Sequence, residues 1–165
     1  MNKINNNDKN NLFIIKLYLK KYVVYHTRFN DGGEGHSPRV HQLLMNEEGW
    51  PCELPYQTQG ETVSDKGYDK KDVVGRYYVI NQGTDISSDI ANPIIVYLNK
   101  DGSCDGENVT GSWTMRDGTY YMTITMDDKA FSGVFCQMLD EAGAEVMTFS
   151  AVGDNETIWG VKYIN

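Results

Sequence analysis

The 165 residues are 40% apolar and 12% aromatic, with 15 basic and 23 acidic side chains, a net charge of −8 and an isoelectric point near 4.8. That is about one domain's worth of chain with enough apolar material for a real core, which excludes disorder over most of its length. So acidic a surface repels phosphate, so neither nucleic acid nor membrane is expected as a partner, and no apolar run approaches the roughly 18 residues of a membrane span.

The charge is uneven. Residues 1–57 hold seven Lys/Arg and six Asp/Glu, a net of +1, whereas the rest of the chain carries −9. A composition break near Tyr56 therefore divides the sequence. The first eleven residues contain six asparagines and nothing apolar after Ile4, so 1–11 reads as a disordered leader. Lys16 interrupts the apolar run Leu12–Ile15, which is then too short for an export signal; as written, the chain is expected to stay in the cytoplasm.

Tyr22–Tyr25 is β-branched and aromatic and predicts a strand. Asp31–Gly35 is a turn, because its glycines permit the positive φ of a tight reversal. Arg39–Met45 is a second strand, closed by the turn Glu48–Pro51. Two strands joined by a Gly-rich loop are marginal alone, so 12–57 reads as part of something larger. Gln57–Asp72 is polar, with glycines at 60 and 67, and the linker is placed at 58–71.

From 72 to 165, strand-like runs recur at intervals of about 8–12 residues, as in a closed antiparallel sheet. They are Gly75–Asn81, Pro93–Asn99, Asn108–Met115, Thr119–Asp127, Ala130–Asp140, Glu145–Val152 and Thr157–Ile164. Asp101-Gly102, Asp117-Gly118, Asp127-Asp128, Ala142-Gly143 and Gly153–Asn155 supply turns. Alternation places Tyr120, Met122, Ile124 and Met126 on one face and Tyr121, Thr123 and Thr125 on the other. Phe131, Gly133 and Phe135, then Met147, Phe149 and Ala151, then Trp159, Val161 and Tyr163 are expected to continue the inward rows. The fold class is all-β: an antiparallel β-barrel preceded by a smaller β-unit.

Residues with possible chemistry are few. Cys52, Cys104 and Cys136 lack C-x-x-C spacing, and Cys136 is expected to pack as a small hydrophobe. His36 and His41 are five apart on one strand and point to opposite faces, which favours hydrogen-bonded histidines over a shared metal ion. Asp101–Gly106 partly matches a calcium loop, but its twelfth position is Ser112 and its flanks are strands, so a hairpin turn is expected. Two carboxylates inside Asp31–Gly35 oppose a phosphate cradle. The barrel holds no histidine to activate a nucleophile. Trp50, Trp113, Tyr121 and Trp159, with Tyr120, are candidates for stacking on sugar rings, against the alternative of core packing.

Two stretches together resemble one family, glycoside hydrolase family 43. Tyr25–Phe29, Arg39–Gln42 and Asn46–Pro51 look like the last blade of the five-bladed propeller in its endo-α-1,5-L-arabinanases. Gly75–Ile80, Gly111–Trp113, Ser132–Phe135, Met147–Phe149 and Ile158–Gly160 resemble the C-terminal β-barrel of the larger, extracellular members. The likeness implies an incomplete propeller blade at 12–57 and an arabinanase-type barrel at 72–165. The family hydrolyses arabinan with carboxylates set in earlier blades, which have no counterpart here, so no catalytic residue is assigned. It also implies a calcium-binding histidine just upstream of the blade, and Met1–Lys21 contains no histidine, so no cofactor or metal is expected. The chain reads as the C-terminal remnant of an arabinanase, inactive alone. The alternatives are a binding module for arabinan or a related neutral polysaccharide, and a purely structural brace. Expected partners are arabinan or its oligosaccharides, the missing propeller portion, or a second copy joined through the broken blade. Without neighbouring blades, Leu12–Ile15, Val23, Val24, Leu43 and Leu44 are expected to lack cover, leaving the segment mobile or self-associating.

Overall fold

The computed structural model describes residues 20–28, 36–60, 64–83 and 91–163. The leader, Leu12–Ile15 and the Asp31–Gly35 turn lie outside them, as do the side chains of His26 and His36. Among the described residues the chain forms eleven strands and one four-residue helix. The strands β1 (Lys21–Arg28), β2 (His36–Met45) and β3 (Pro51–Glu53) make an antiparallel three-stranded sheet in sequence order. After α1 (Lys70–Val73) come β4 (Gly75–Asn81), β5 (Ile94–Leu98), β6 (Ser103–Gly106) and β7 (Val109–Met115). β8 (Tyr121–Met126), β9 (Lys129–Leu139), β10 (Glu145–Gly153) and β11 (Glu156–Lys162) complete a closed barrel in which each strand pairs with its sequence neighbour and β11 returns to β4. The architecture is all-β with a closed antiparallel barrel, as the spacing of turns predicts.

Hairpin chemistry sets this meander. Asp127 and Asp128 both hold positive φ between the paired Met126 and Lys129, as do Asp154 and Asn155 between Gly153 and Glu156. Two left-handed residues make the turn whose twist matches that of the strands, and Asp and Asn tolerate it. A further reversal at Asn108, with φ of 60°, divides β6 from β7. The sequence pattern predicts turn alone before Asn108 and seven barrel strands; the barrel has eight, because 103–106 pairs as β6. Asp101 belongs to the hairpin: its Oδ1 accepts from the Ser103 amide and hydroxyl, and these bonds hold its carboxyl below the usual range.

The barrel interior is filled by Tyr77, Val79, Val96, Leu98, Trp113, Met122, Ile124, Phe131, Phe135, Phe149 and Ile158. Edge-on aromatic contacts link Trp113 to Phe135 at 6.2 Å and Phe135 to Phe149 at 6.0 Å between ring centres. The stretch read as linker is attached to this body. The amide of Gln137 donates to the Tyr68 hydroxyl at 2.9 Å, Val73 of α1 joins the core, and the Tyr77 hydroxyl donates to the Val73 carbonyl at 2.6 Å.

One inward row differs from the expectation. In β11 the residues facing the core are Ile158 and Gly160, so Trp159, Val161 and Tyr163 belong to the outer face. The reason lies across the ladder, where Phe149 sits opposite Gly160. A Cβ at Gly160 would come 2.0 Å from Phe149 Cε1. The phenyl ring occupies the space, and only a residue without a side chain can face it.

Strand β9 is apolar on both faces. Phe131 and Phe135 point into the barrel, while Val134, Cys136 and Met138 point outward and are equally buried. What covers them is the three-stranded sheet, through Leu44, Cys52 and Leu54, with Tyr56, Tyr120, Tyr121 and Val152 at the margin. Polar contacts flank this second core. Asn46 Nδ2 donates to the Ser132 carbonyl at 3.1 Å, and Arg116 pairs with Glu47. The expectation that Leu44 lacks cover is thus corrected, because the barrel itself shields it. On β1, Val24 remains 69% exposed.

Candidate functional site

The junction between sheet and barrel gathers the polar and aromatic groups most suited to a site. Buried His41 stands on β2 with its Nδ1 2.7 Å from the Leu54 carbonyl oxygen. A carbonyl only accepts, so Nδ1 carries the proton, and in the neutral ring Nε2 accepts from the Tyr25 hydroxyl 3.3 Å away. The Trp159 ring lies parallel to the imidazole, 13° apart in plane with 6.0 Å between centres. The Glu53 carboxylate oxygen Oε1 is 3.6 Å from His41 Nδ1. Burial raises the Tyr25 hydroxyl pKa, and the neighbouring Glu53 charge raises it further.

A cleft of about 480 Å³ opens beside this group, lined by Tyr25, Leu43, Glu53, Gln82, Thr157 and Trp159 among others. Glu53 Oε1 and Trp159 Nε1 are buried here without hydrogen-bond partners among the described residues. The described lining offers one carboxylate, Glu53, whereas acid–base hydrolysis of a glycosidic bond by inversion uses two, about 6.5–9.5 Å apart. Among the described residues no group of three or more His, Cys, Asp or Glu could hold a metal ion.

The four aromatic candidates do not form one surface. Trp50 sits in the β2–β3 turn, 63% exposed, with its amide donating to Asn46 Oδ1 at 2.8 Å. Trp113 is 1% exposed in the barrel core, and its Nε1 donates to the Asn99 carbonyl at 3.0 Å. It therefore presents no ring face to a ligand outside the barrel. The correction has a simple cause: β7 turns Trp113 inward against Phe135. Tyr121 and Trp159 do share one transverse row of the outer face, Tyr121–Val134–Ser150–Trp159, set by the register of β8 to β11. Val134 and Ser150, fully buried, separate them. The row is where the sheet docks. Sequence reasoning missed this role, although the unbroken apolar run Val134–Cys136 carried the signal of a strand covered on both faces.

These features define a class: a lipocalin-like, eight-stranded barrel that carries a small antiparallel sheet on its outer wall. The family model for the glycoside hydrolase family 43 C-terminal lipocalin-like domain matches residues 55–160, and the chain belongs to that family. It is 42% identical over 145 residues to extracellular endo-α-(1→5)-L-arabinanase 2 of Bacillus subtilis, covering 87% of this chain and 30% of the relative. The extracellular endo-α-(1→5)-L-arabinanase of Thermotoga petrophila is 32% identical over 149 residues, with 87% and 31% covered. Among solved structures, the family 43 YxiA protein of Bacillus licheniformis superposes with a TM-score of 0.81 at 37% identity, over 88% of this chain and 33% of that one. The Thermotoga petrophila endo-1,5-α-L-arabinanase superposes with a TM-score of 0.78 at 32% identity over the same shares. The chain thus spans about a third of the length of the relatives it matches.

Proposed function

We propose that this chain is the C-terminal accessory part of an arabinan-degrading endo-1,5-α-L-arabinanase, without catalytic activity by itself, whose barrel braces the last propeller blade. The three-stranded sheet is that blade's outer portion, and the compartment proposed is the extracellular one for which the relatives are named. The observation that carries the bracing role is the second core, where Leu44, Cys52 and Leu54 of the sheet are buried against Val134, Cys136 and Met138. Each fully buried aliphatic side chain in such a contact contributes about 1.5–3 kcal/mol. Among the described residues β1 pairs with β2 alone, so its other edge is the place for a preceding blade strand, from the same or another chain, to add. The single carboxylate in the described lining of the junction cleft supports the non-catalytic assignment.

Two measurements test the reading. Incubated with linear arabinan, the purified chain should release no arabino-oligosaccharides; release would overturn the non-catalytic assignment. Deleting the barrel from an intact relative should lower the melting temperature of its propeller. Unchanged stability with weakened polymer binding would replace bracing by a binding role.

A further inference from the structure

The barrel carries a second set of aromatic side chains that the bracing contact does not use. Because Tyr77 and Val79 point into the core, Arg76 and Tyr78 of β4 point outward. The same alternation sends Tyr97 outward from β5, between buried Val96 and Leu98, and places Tyr163 outside the end of β11. The register sets Arg76 directly opposite Tyr97, and Tyr97 directly opposite Asp105 of β6. The guanidinium carbon of Arg76 lies 4.5 Å from the Tyr163 ring centre and 5.5 Å from that of Tyr78. Those two rings meet edge to face at 5.7 Å. Tyr78, Tyr97 and Tyr163 are 37%, 41% and 40% exposed, the surface expected of contact groups rather than core. Arg76 stands four residues before Ile80, the partner of Trp159, so the set lies about 13 Å along the strand from the docked sheet.

The chemistry of the set is specific. In a chain rich in carboxylates, Arg76 has no carboxylate partner among the described residues, and its Nε has no hydrogen-bond acceptor. Two tyrosine faces hold the guanidinium in place, so its remaining N–H donors are ordered before any ligand arrives. Asp105 supplies acceptor oxygens on the other side of Tyr97, and one of them already takes a bond from Asn99 Nδ2. An aromatic ring between an ordered donor and an ordered acceptor matches a sugar: C–H bonds lie on the ring while hydroxyls bridge to both sides. Arg76 and Asp105 cancel in charge, and the whole chain carries −8, so a polyanion gains nothing here and a neutral polymer meets no opposition.

We propose that Arg76, Tyr78, Tyr97, Asp105 and Tyr163 form a binding platform for a neutral polysaccharide on the outer wall of the barrel. That the polymer is arabinan rests on the proposed function above; the platform itself does not. The test is affinity electrophoresis of the full chain in gels containing linear arabinan, neutral galactan or polygalacturonate. Retention by arabinan is expected at low and high salt alike. Tyr97→Ala and Arg76→Met should each weaken it about tenfold with an unchanged melting temperature. Trp50→Ala, on the sheet, should leave it intact. Failure of any neutral polymer to retard the chain overturns the platform. So does binding that Tyr97→Ala and Tyr163→Ala both leave untouched, or retention by polygalacturonate alone. Retention by galactan in place of arabinan, lost in the same variants, keeps the platform and overturns the arabinan reading.

Discussion

The barrel and the three-stranded sheet are both antiparallel, yet they keep their apolar side chains from water in different ways. In the barrel each strand has a partner on both sides, and Phe149 and Trp113 are buried in the barrel's own core. In the sheet, β1 has one partner among the described residues, and the apolar residues of β2 and β3 are buried on a surface that belongs to another unit. The difference teaches which way dependence runs. Closure removes edges and makes the core self-sufficient, whereas a short open sheet is stable only while its neighbour holds shape.

The largest effect should follow from Phe149→Ala, which empties the centre of the aromatic cluster joining Tyr77, Phe135 and Phe149. A loss of about 3–5 kcal/mol is expected, with barrel and sheet melting together in calorimetry. Survival of hydrogen-exchange protection in β2 and β3 after the barrel has melted would reverse the dependence. Leu54→Ala acts on the other side of the comparison. Leu54 is fully buried beneath the sheet, and its truncation should cost about 2–3 kcal/mol, confined to β2 and β3. Hydrogen exchange there should accelerate while the barrel's melting temperature holds; a barrel that melts early would make the two regions one cooperative unit.

Alkaline pH probes both regions at once. Burial pushes the Cys52 thiol from an ordinary 9.0 to about 12 and the Cys104 thiol to about 11. Raised folded-state values mean that the protonated form is held in the fold and released on unfolding. The corresponding stability is fully present below pH 9 and is lost as pH rises toward 11–12. Denaturant melts at pH 8 and 10 should therefore show lower stability at the higher pH. Cys52→Ala should flatten the part that belongs to the sheet; an unaltered slope would mean that the docked sheet does not seal this thiol. The smallest effect is expected from Val24→Lys on the exposed face of β1, within about 0.5 kcal/mol in stability. Its readout is association. Sedimentation should show concentration-dependent dimers of the natural chain that the lysine abolishes, and dimers that persist would place the contact elsewhere.

Much of this architecture is written in local pattern. Alternation along Met122, Ile124 and Met126 identifies an inward row without any knowledge of its neighbours, because side chains change face at every residue of a strand. Asp127-Asp128 and Asp154-Asn155 identify reversals because few residues tolerate left-handed backbone. Together with the Arg39–Gln42, Asn46–Pro51 and Ser132–Phe135 motifs, these features made the all-β class and the family legible from the chain alone. What alternation cannot choose is which of two faces turns inward when both carry apolar residues. Trp159 faces out because the Phe149 ring already fills the space opposite Gly160. Val134, Cys136 and Met138 are buried on the outer wall because Leu44, Cys52 and Leu54, some eighty residues earlier, cover them. Arg76 stands opposite Tyr97 and packs on the Tyr163 ring only because β4 pairs with β5 on one side and with β11, the last barrel strand, on the other. Each of these contacts depends on volume and register across chains of neighbours, and those quantities exist only once the strands are side by side.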